Sequence, residues 1–343
     1  SVGQWHVGCK KDFMERSIYN AYLKLIEQSK HFIYIENQFF ISSLANEKGD
    51  LIFNKIAETL LNRLRRAIRD RADYRVVIML PIHPDDNYKE EAATRYIMKW
   101  QYDTIAYSRK SIFATLKREF PRVDIGTYVN FYSLRCYGFL PRIASSTTEQ
   151  ETGRTRPVTE QIYIHSKMMI VDDTHIVIGS ANINDRSMFG RRDSEIAIVS
   201  TDTEMIDSTM NGKPFKVGKR VHEFRISLWQ EHLGLECDDM SVKDPLTSKT
   251  FNLWDGTAEN NNDIFSQIFP VVPHQSRSQV AKMMQSIYEM DKLQPVTALD
   301  KIKLLDGIKG HLIPYPLNYF TQDILNPQAG DLDIALLAGN VFT

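Results

Sequence analysis

Apolar residues recur at helical spacing over residues 12–29, where Ile18, Tyr22, Leu25 and Ile26 share one face, and this predicts an amphipathic helix. The run HFIYIENQFF that follows is dense in aromatic and β-branched residues and predicts a buried strand. Residues 50–70 return to helical spacing, with Asp50 as a candidate N-cap and Arg63, Arg65, Arg66 and Arg69 among the polar positions. YRVVIMLPI predicts a second strand, closed by Pro81. Residues 88–119 read as mainly helical, and RVDIGTYV as a further strand.

Residues 144–160, ASSTTEQETGRTRPVTE, are polar and lack an apolar period, which predicts a surface loop. Next come the strand QIYIHSKMMIV, the turn DDT, the strands HIVIGSA and EIAIVST, and a helix over 213–233 after Gly212 and Pro214. From about residue 236 the pattern is less regular. Alternating strands and helices predict an α/β fold, an α-β-α sandwich around a central mixed β-sheet. Residues 1–235 form its main lobe in this reading, and 236–343 an irregular extension packed on that lobe. No internal repeat is evident.

One stretch breaks the pattern. In IYIHSKMMIVDDTHIVIGSANINDRS, residues 162–187, an apolar run carries an imidazole and an ammonium two positions apart. If the run is a strand, Tyr163, His165 and Lys167 point one way and Ile164, Ser166 and Met168 the other. Histidine serves as nucleophile or general acid/base near neutral pH, and lysine supplies fixed positive charge for an anion such as phosphate. Gly179 permits close backbone approach. Ser180 and Asn182 add hydrogen-bonding groups, and Glu195 could orient an imidazole nitrogen. Taken singly, each has a plainer reading: a strand histidine is usually a satisfied core or edge residue, and Asp172 and Asp173 suit a hairpin turn. The conjunction HxK(x)4D(x)6GSxN is what points to a site.

The composition, 43% hydrophobic and 25% charged over 343 residues, is that of an ordinary globular protein. A net charge of −1 offers no whole-chain basicity for nucleic acid, so an anion site would have to be local. Three scattered cysteines suggest reduced thiols rather than a disulfide framework or a metal cluster. No apolar run approaches the ~20 residues of a membrane span, and no signal peptide opens the chain. The expectation is a cytoplasmic protein. The start at Ser1 rather than Met fits a piece of a longer polypeptide as well as it fits processing.

HxK(x)4D(x)6GSxN closely resembles the signature of the phospholipase D superfamily. Together with YIENQFF (residues 34–40) and GSANINDRSMFGRRDSE (residues 179–195), it is most similar to the second such motif of eukaryotic phosphatidylcholine-hydrolysing phospholipases D. The resemblance implies hydrolysis of phosphatidylcholine to phosphatidic acid and choline through a phosphohistidine, or phosphatidyl transfer to a primary alcohol, without a catalytic metal or other cofactor. By position, His165 would be general acid and later base. Lys167 and Asn182 would bind phosphoryl oxygens with Ser180 in support, Glu195 would fix the His165 tautomer, and Asp172 would shape the hairpin. Glu36, Asn37 and Gln38 would form a wall of the site. The resemblance also implies a peripheral membrane enzyme, with a phosphoinositide activator and small GTPase regulators as possible partners.

Such enzymes carry two motifs, whereas none of the other eight histidines has lysine at plus two. One half-site is present, so the chain by itself as a monomer is expected to be inactive. Its complement would be an N-terminal half bearing the first motif, or a second copy. The competing readings are a homodimeric phosphodiesterase or nuclease of the same superfamily and a lipid-binding scaffold. Three further features bear on membranes and regulation. NFYSLRCYGFLPR, residues 130–142, could dip into a lipid interface or pack in the core. The arginine-rich helix reads most simply as a solvated face, with a phosphoinositide site as the other option. The apolar tail LDIALLAGNVFT should pack on the body, with 341–343 serving a structural role near the site.

Overall fold

A computed structural model describes residues 15–44, 52–83, 92–141, 155–189, 193–269 and 303–317. Asp50 and the C-terminal tail lie outside them. Ten strands and seven α-helices are described: α1 (Ser17–Gln28), β1 (Phe32–Glu36), α2 (Ile56–Arg69), β2 (Arg75–Met79), α3 (Ala92–Tyr102), α4 (Ile112–Glu119), β3 (Val129–Pro141), β4 (Thr155–Gln161), β5 (Met168–Val171), β6 (His175–Gly179), α5 (Asp185–Met188), β7 (Ala197–Thr201), β8 (Met205–Met210), β9 (Lys213–Gly218), α6 (Lys219–Leu233), α7 (Ser248–Ile268) and β10 (Leu312–Pro314).

The main sheet runs β10-β3-β2-β1-β5-β6-β7, with β4 also paired to β3. The contacts β1–β2 and β2–β3 are parallel and all the others antiparallel, so the sheet is mixed. Alternation along each strand divides two cores. Ile33, Ile35, Val76, Ile78, Met169 and Val171 face one side, under Tyr22 and Ile26 of α1, Leu60 and Leu64 of α2 and Leu116 of α4. Phe32, Tyr34, Val77, Met79, Met168 and Ile170 face the other, under Trp229 and Leu233 of α6 and Trp254 and Ala258 of α7. The fold is therefore the α-β-α sandwich with a mixed sheet that the strand–helix alternation predicts. Beyond residue 235 the chain supplies α7 to a helical layer and β10 to the sheet edge.

Four local expectations change. RVDIGTYV is not yet strand at its start: the Asp124 carboxylate accepts the Gly126 amide at 3.0 Å, setting a 3₁₀ turn at Ile125–Thr127 before β3 begins. The end of the expected polar loop, 155–160, is together with Gln161 strand β4, because pairing with β3 satisfies its backbone. The expected helix at 213 starts only at Lys219. Asn211 and Gly212, at φ 52° and 73°, turn β8 into β9, the hairpin signal that an Asn-Gly pair gives. Finally, the arginines of α2 are not all solvated: Arg66 and Arg69 are exposed as expected and Arg65 is half-buried, but Arg63 is not. Arg63 is buried, donating to the Ser29 and Lys30 carbonyls at 2.8 and 2.9 Å with its guanidinium over the Tyr74 ring, and Arg65 grips Glu119.

Candidate functional site

The β5–β6 hairpin fixes the site from below. Asp172 and Asp173 both adopt left-handed backbone angles, φ 51° and 48°, which aspartate tolerates at a tight turn. Asp172 accepts the backbone amides of Lys30, His31 and Phe32 at 2.7, 2.7 and 2.8 Å, so its carboxylate is consumed in docking the turn onto the start of β1. Asp173, wholly buried, accepts from His222 Nδ1 at 2.7 Å and from Arg225 Nη2 at 2.5 Å on α6. These two aspartates lie at the opposite end of β5 from Lys167. Asp172 thus does not join the other predicted site residues, which fits a role in shaping the hairpin.

Residues 162–167, expected to be strand, are a connection between β4 and β5 that meets the sheet backbone at its ends, where the Ile162 amide donates to the Leu134 carbonyl at 3.0 Å and the Lys167 carbonyl accepts from the Gly179 amide at 3.1 Å. Within it His165 stands exposed while Lys167 turns inward to 8% exposure. The Lys167 ammonium donates to Gln38 Oε1 at 3.0 Å and to the His165 carbonyl at 2.5 Å. Both acceptors are neutral oxygens. Among the described residues no carboxylate lies within ion-pair distance of this cation, and burial lowers its pKa to about 8 against the opposing pull of Glu195. Gln38 in turn donates to the Tyr163 hydroxyl at 3.0 Å. The Tyr163 and His165 rings lie 29° from parallel, with centroids 6.2 Å apart. Partial burial and then the Lys167 charge lower the His165 pKa. The imidazole itself has no hydrogen-bond partner among the described residues.

The second side comes from the ends of β6 and β7. A Cβ at Gly179 would sit 2.2 Å from the Ile196 carbonyl, so only glycine lets the two strands meet there. The Ser180 amide then donates to that carbonyl at 2.9 Å. Glu195 accepts from the Ser180 hydroxyl and, at 2.6 Å, from Ser187. With both oxygens so engaged, Glu195 makes no hydrogen bond to His165, contrary to the expected tautomer contact. A parallel bridge between Phe40 and Ile183 brings the segment after Asn37 beside the one after Ser180. Asn37 Oδ1 accepts the Phe39 and Ile183 amides at 3.2 and 3.1 Å. Two buried amide atoms in these segments, Asn37 Nδ2 and Asn182 Oδ1, have no partner among the described residues. Orphans of this kind are rare in native interiors and concentrate where function requires them.

Glu36 closes the inner wall. Its Oε1 accepts from the Tyr34 hydroxyl at 2.6 Å and from His232 Nε2 at 3.1 Å, and its Oε2 from the Ser166 hydroxyl at 2.5 Å. Although burial raises the carboxyl pKa, the bonds from His232, Ser166 and Tyr34 outweigh it and hold the group below its ordinary value. Sequence reading missed His232, Ser166 and Ser187. The two serines lie inside motifs already singled out. His232 sits 196 residues from Glu36 on another layer, and no local pattern announces it.

Taken together, His165, Lys167, Gln38, Ser180, Asn182 and Glu195 are carried by the same end of the sheet, with Glu36 behind them. The arrangement offers a buried cation, an exposed imidazole and several small polar groups, the chemistry of an anion site with an acid/base at its mouth.

Known proteins resemble this chain in two ways. The chain is 42% identical over 335 residues to phospholipase D B of Dictyostelium discoideum, covering 96% of this chain and 25% of that protein. It is 39% identical to phospholipase D zeta 1 of Arabidopsis thaliana, covering 95% and 31%, and 35% identical to human phospholipase D1, covering 100% and 30%. The chain thus spans about a quarter to a third of the length of these relatives. The phospholipase D family model matches residues 6–276, and the chain belongs to that family.

Proposed function

We propose that this chain supplies one of two half-sites of a phospholipase D that cleaves phosphatidylcholine to phosphatidic acid and choline. The observation that carries the reading is Lys167, a buried ammonium satisfied among the described residues only by neutral oxygens, next to an imidazole that stands open. A phosphodiester oxygen placed between them would give Lys167 the counter-charge that it lacks and raise the pKa values of both groups. In this mechanism a histidine of the other half-site attacks phosphorus and breaks the bond to choline. His165 gives its proton to the departing alcohol oxygen, then takes one from water or a primary alcohol, which displaces the histidine and releases phosphatidic acid or a phosphatidyl alcohol. Lys167 holds the phosphoryl oxygens, with Asn182 and Ser180 beside it and Glu195 tying Ser180 in place. General acid catalysis of this kind is worth roughly 10² to 10⁴ in rate.

The other half-site docks, in this proposal, over the free end of the sheet. Ile178, Ile196 and Ile198 are 39%, 78% and 65% exposed and flank Ser180 and Glu195. Three exposed isoleucines, on β6, on β7 and just before β7, mark a surface built to be covered. An N-terminal half bearing the first motif would cover it and bring the nucleophile to His165. The exposed Phe139 and Leu140 on β3 are placed to enter a phospholipid surface, while Phe131, Tyr132 and Leu134 of the same strand are core.

The test is product partition in the enzyme reassembled from this chain and an N-terminal half. Butan-1-ol should divert product from phosphatidic acid to phosphatidylbutanol at constant total choline release. Choline release with no alcohol product would contradict the shared covalent intermediate. Liposome binding with no turnover in the reassembled pair would favour the scaffold reading.

A further inference from the structure

We infer that the buried trio Tyr34, Glu36 and His232 is a positioning device for the catalytic segment 162–167, acting through Ser166. The inference rests on the proposed role of His165, but its structural half stands separately. Among the described residues this segment is tied to the backbone of the sheet at its two ends, Ile162 to Leu134 and Lys167 to Gly179, and His165 itself makes no sheet hydrogen bond. Its position rests on its two neighbours. On one side Lys167 reaches back to the His165 carbonyl and to Gln38. On the other, Ser166 lies at the protein surface and gives its hydroxyl to Glu36 at 2.5 Å.

Glu36 could not hold that bond unaided, since an isolated carboxylate in this interior would be costly. Tyr34 and His232 supply the compensation. His232 Nε2 lies 3.0 Å from the Tyr34 hydroxyl and 3.1 Å from Glu36 Oε1, and all three side chains are buried. The end of α6 that carries His232 is itself pinned. Gly234 closes the helix at φ 65°, packed so tightly on Gly310 that a Cβ would lie 2.4 Å from its amide. The His311 amide bonds the His232 carbonyl at 2.9 Å. The chain after 235 is thereby coupled to the position of His165. All three are buried, whereas His165 is exposed, so their effect should fall on the geometry of His165 rather than on substrate affinity.

Amide hydrogen exchange of this chain, with kinetics of the reassembled enzyme, tests the idea. Ser166→Ala, Glu36→Gln and His232→Ala should each speed exchange of the Gly179 amide, which donates to the Lys167 carbonyl at 3.1 Å, about ten-fold. They should also lower kcat about ten-fold with KM changed less than two-fold, and His232→Gln, which keeps a donor, should recover most of the loss. Because Ser166 is at the surface, Ser166→Ala stays folded even if His232→Ala does not. Unchanged exchange in Ser166→Ala would overturn the device whatever the activity shows. Faster exchange with unchanged kcat would overturn its positioning role. If the wild-type pair releases no choline, the functional proposal fails and exchange alone decides the structural one.

Discussion

Lys167 Nζ lies 3.0 Å from Gln38 Oε1, joining two motifs 129 positions apart in the chain. This contact ties IENQ at the end of β1 to HSK before β5, and it makes one wall from two separate signatures. Among the described residues the ammonium has no acidic partner, and the first prediction follows from that.

Replacing Lys167 by methionine should abolish phosphodiester cleavage in the reassembled enzyme by roughly 10² to 10³, the scale of losing one preorganised oxyanion donor. The same change should make the chain more resistant to urea, because it removes a buried uncompensated charge. Arginine should not rescue activity, since its planar fork does not fit a point-charge site. Loss of activity together with loss of stability would contradict the account.

The pH dependence has a defined sign. Lys167 is held at about 8 in the free site, so kcat/KM should fall as pH rises through that value and the ammonium deprotonates. For stability the direction is opposite. Between about 8 and the ~10.4 of a free lysine the unfolded chain binds more protons, so this group makes stability rise with pH across that window. Urea titrations at pH 7.5 and 9.5 on wild type and Lys167→Met isolate the effect, which should vanish in the variant.

Asp172 separates structure from chemistry within the motif. Its three amide contacts predict that Asp172→Asn costs about 1–3 kcal/mol in chemical denaturation. The folded variant should nevertheless keep kcat within a few-fold in the reassembled enzyme. A loss of kcat as large as that of His165→Ala, with stability intact, would place Asp172 in the reaction.

Asp173 anchors the hairpin to α6 through Arg225. Both side chains are wholly buried, and the Arg225 charge with the His222 bond holds the Asp173 carboxyl below its ordinary value despite burial. Its contribution is present above the free aspartate pKa and lost as pH falls through the depressed one. Asp173→Ala should cost roughly 3–5 kcal/mol by leaving Arg225 buried without its partner. Circular dichroism during urea unfolding would measure this.

Phe139 and Leu140 offer a membrane test outside the site. Phe139→Ser with Leu140→Ser should weaken sedimentation of the reassembled enzyme with phosphatidylcholine vesicles several-fold. Turnover of a water-soluble short-chain substrate should stay the same. Equal losses on both substrates would tie these residues to folding instead.

Much of the fold was legible because it rests on local periodicity: the apolar runs of β1, β2, β5 and β6 and the amphipathic faces of α1 and α2 appear where the pattern puts them. What was not legible depended on partners. Thr155–Gln161 is polar and becomes a strand only because β3 lies alongside. Arg63 reads as solvated until Tyr74 and the Ser29 carbonyl are brought beneath it. The site divides likewise. His165, Lys167, Ser180 and Asn182 could be named from spacing, since their chemistry is odd for an apolar run. Glu195 carried a suggestive position, but its two serine partners redirect it from His165. His232 could not be named, because a buried histidine in a helix looks like any other until the carboxylate it meets is known.

The central claim is tested most directly by choline release from phosphatidylcholine vesicles. The assay would compare this chain alone, the chain with an N-terminal half bearing the first motif, and the same mixture with His165→Ala. The account predicts no release from the chain alone, release from the mixture, and a fall of at least about 10³ with the variant, beyond the share of general acid catalysis alone because the later base is lost as well. Release by the monomeric chain alone, or activity that survives His165→Ala, would contradict it.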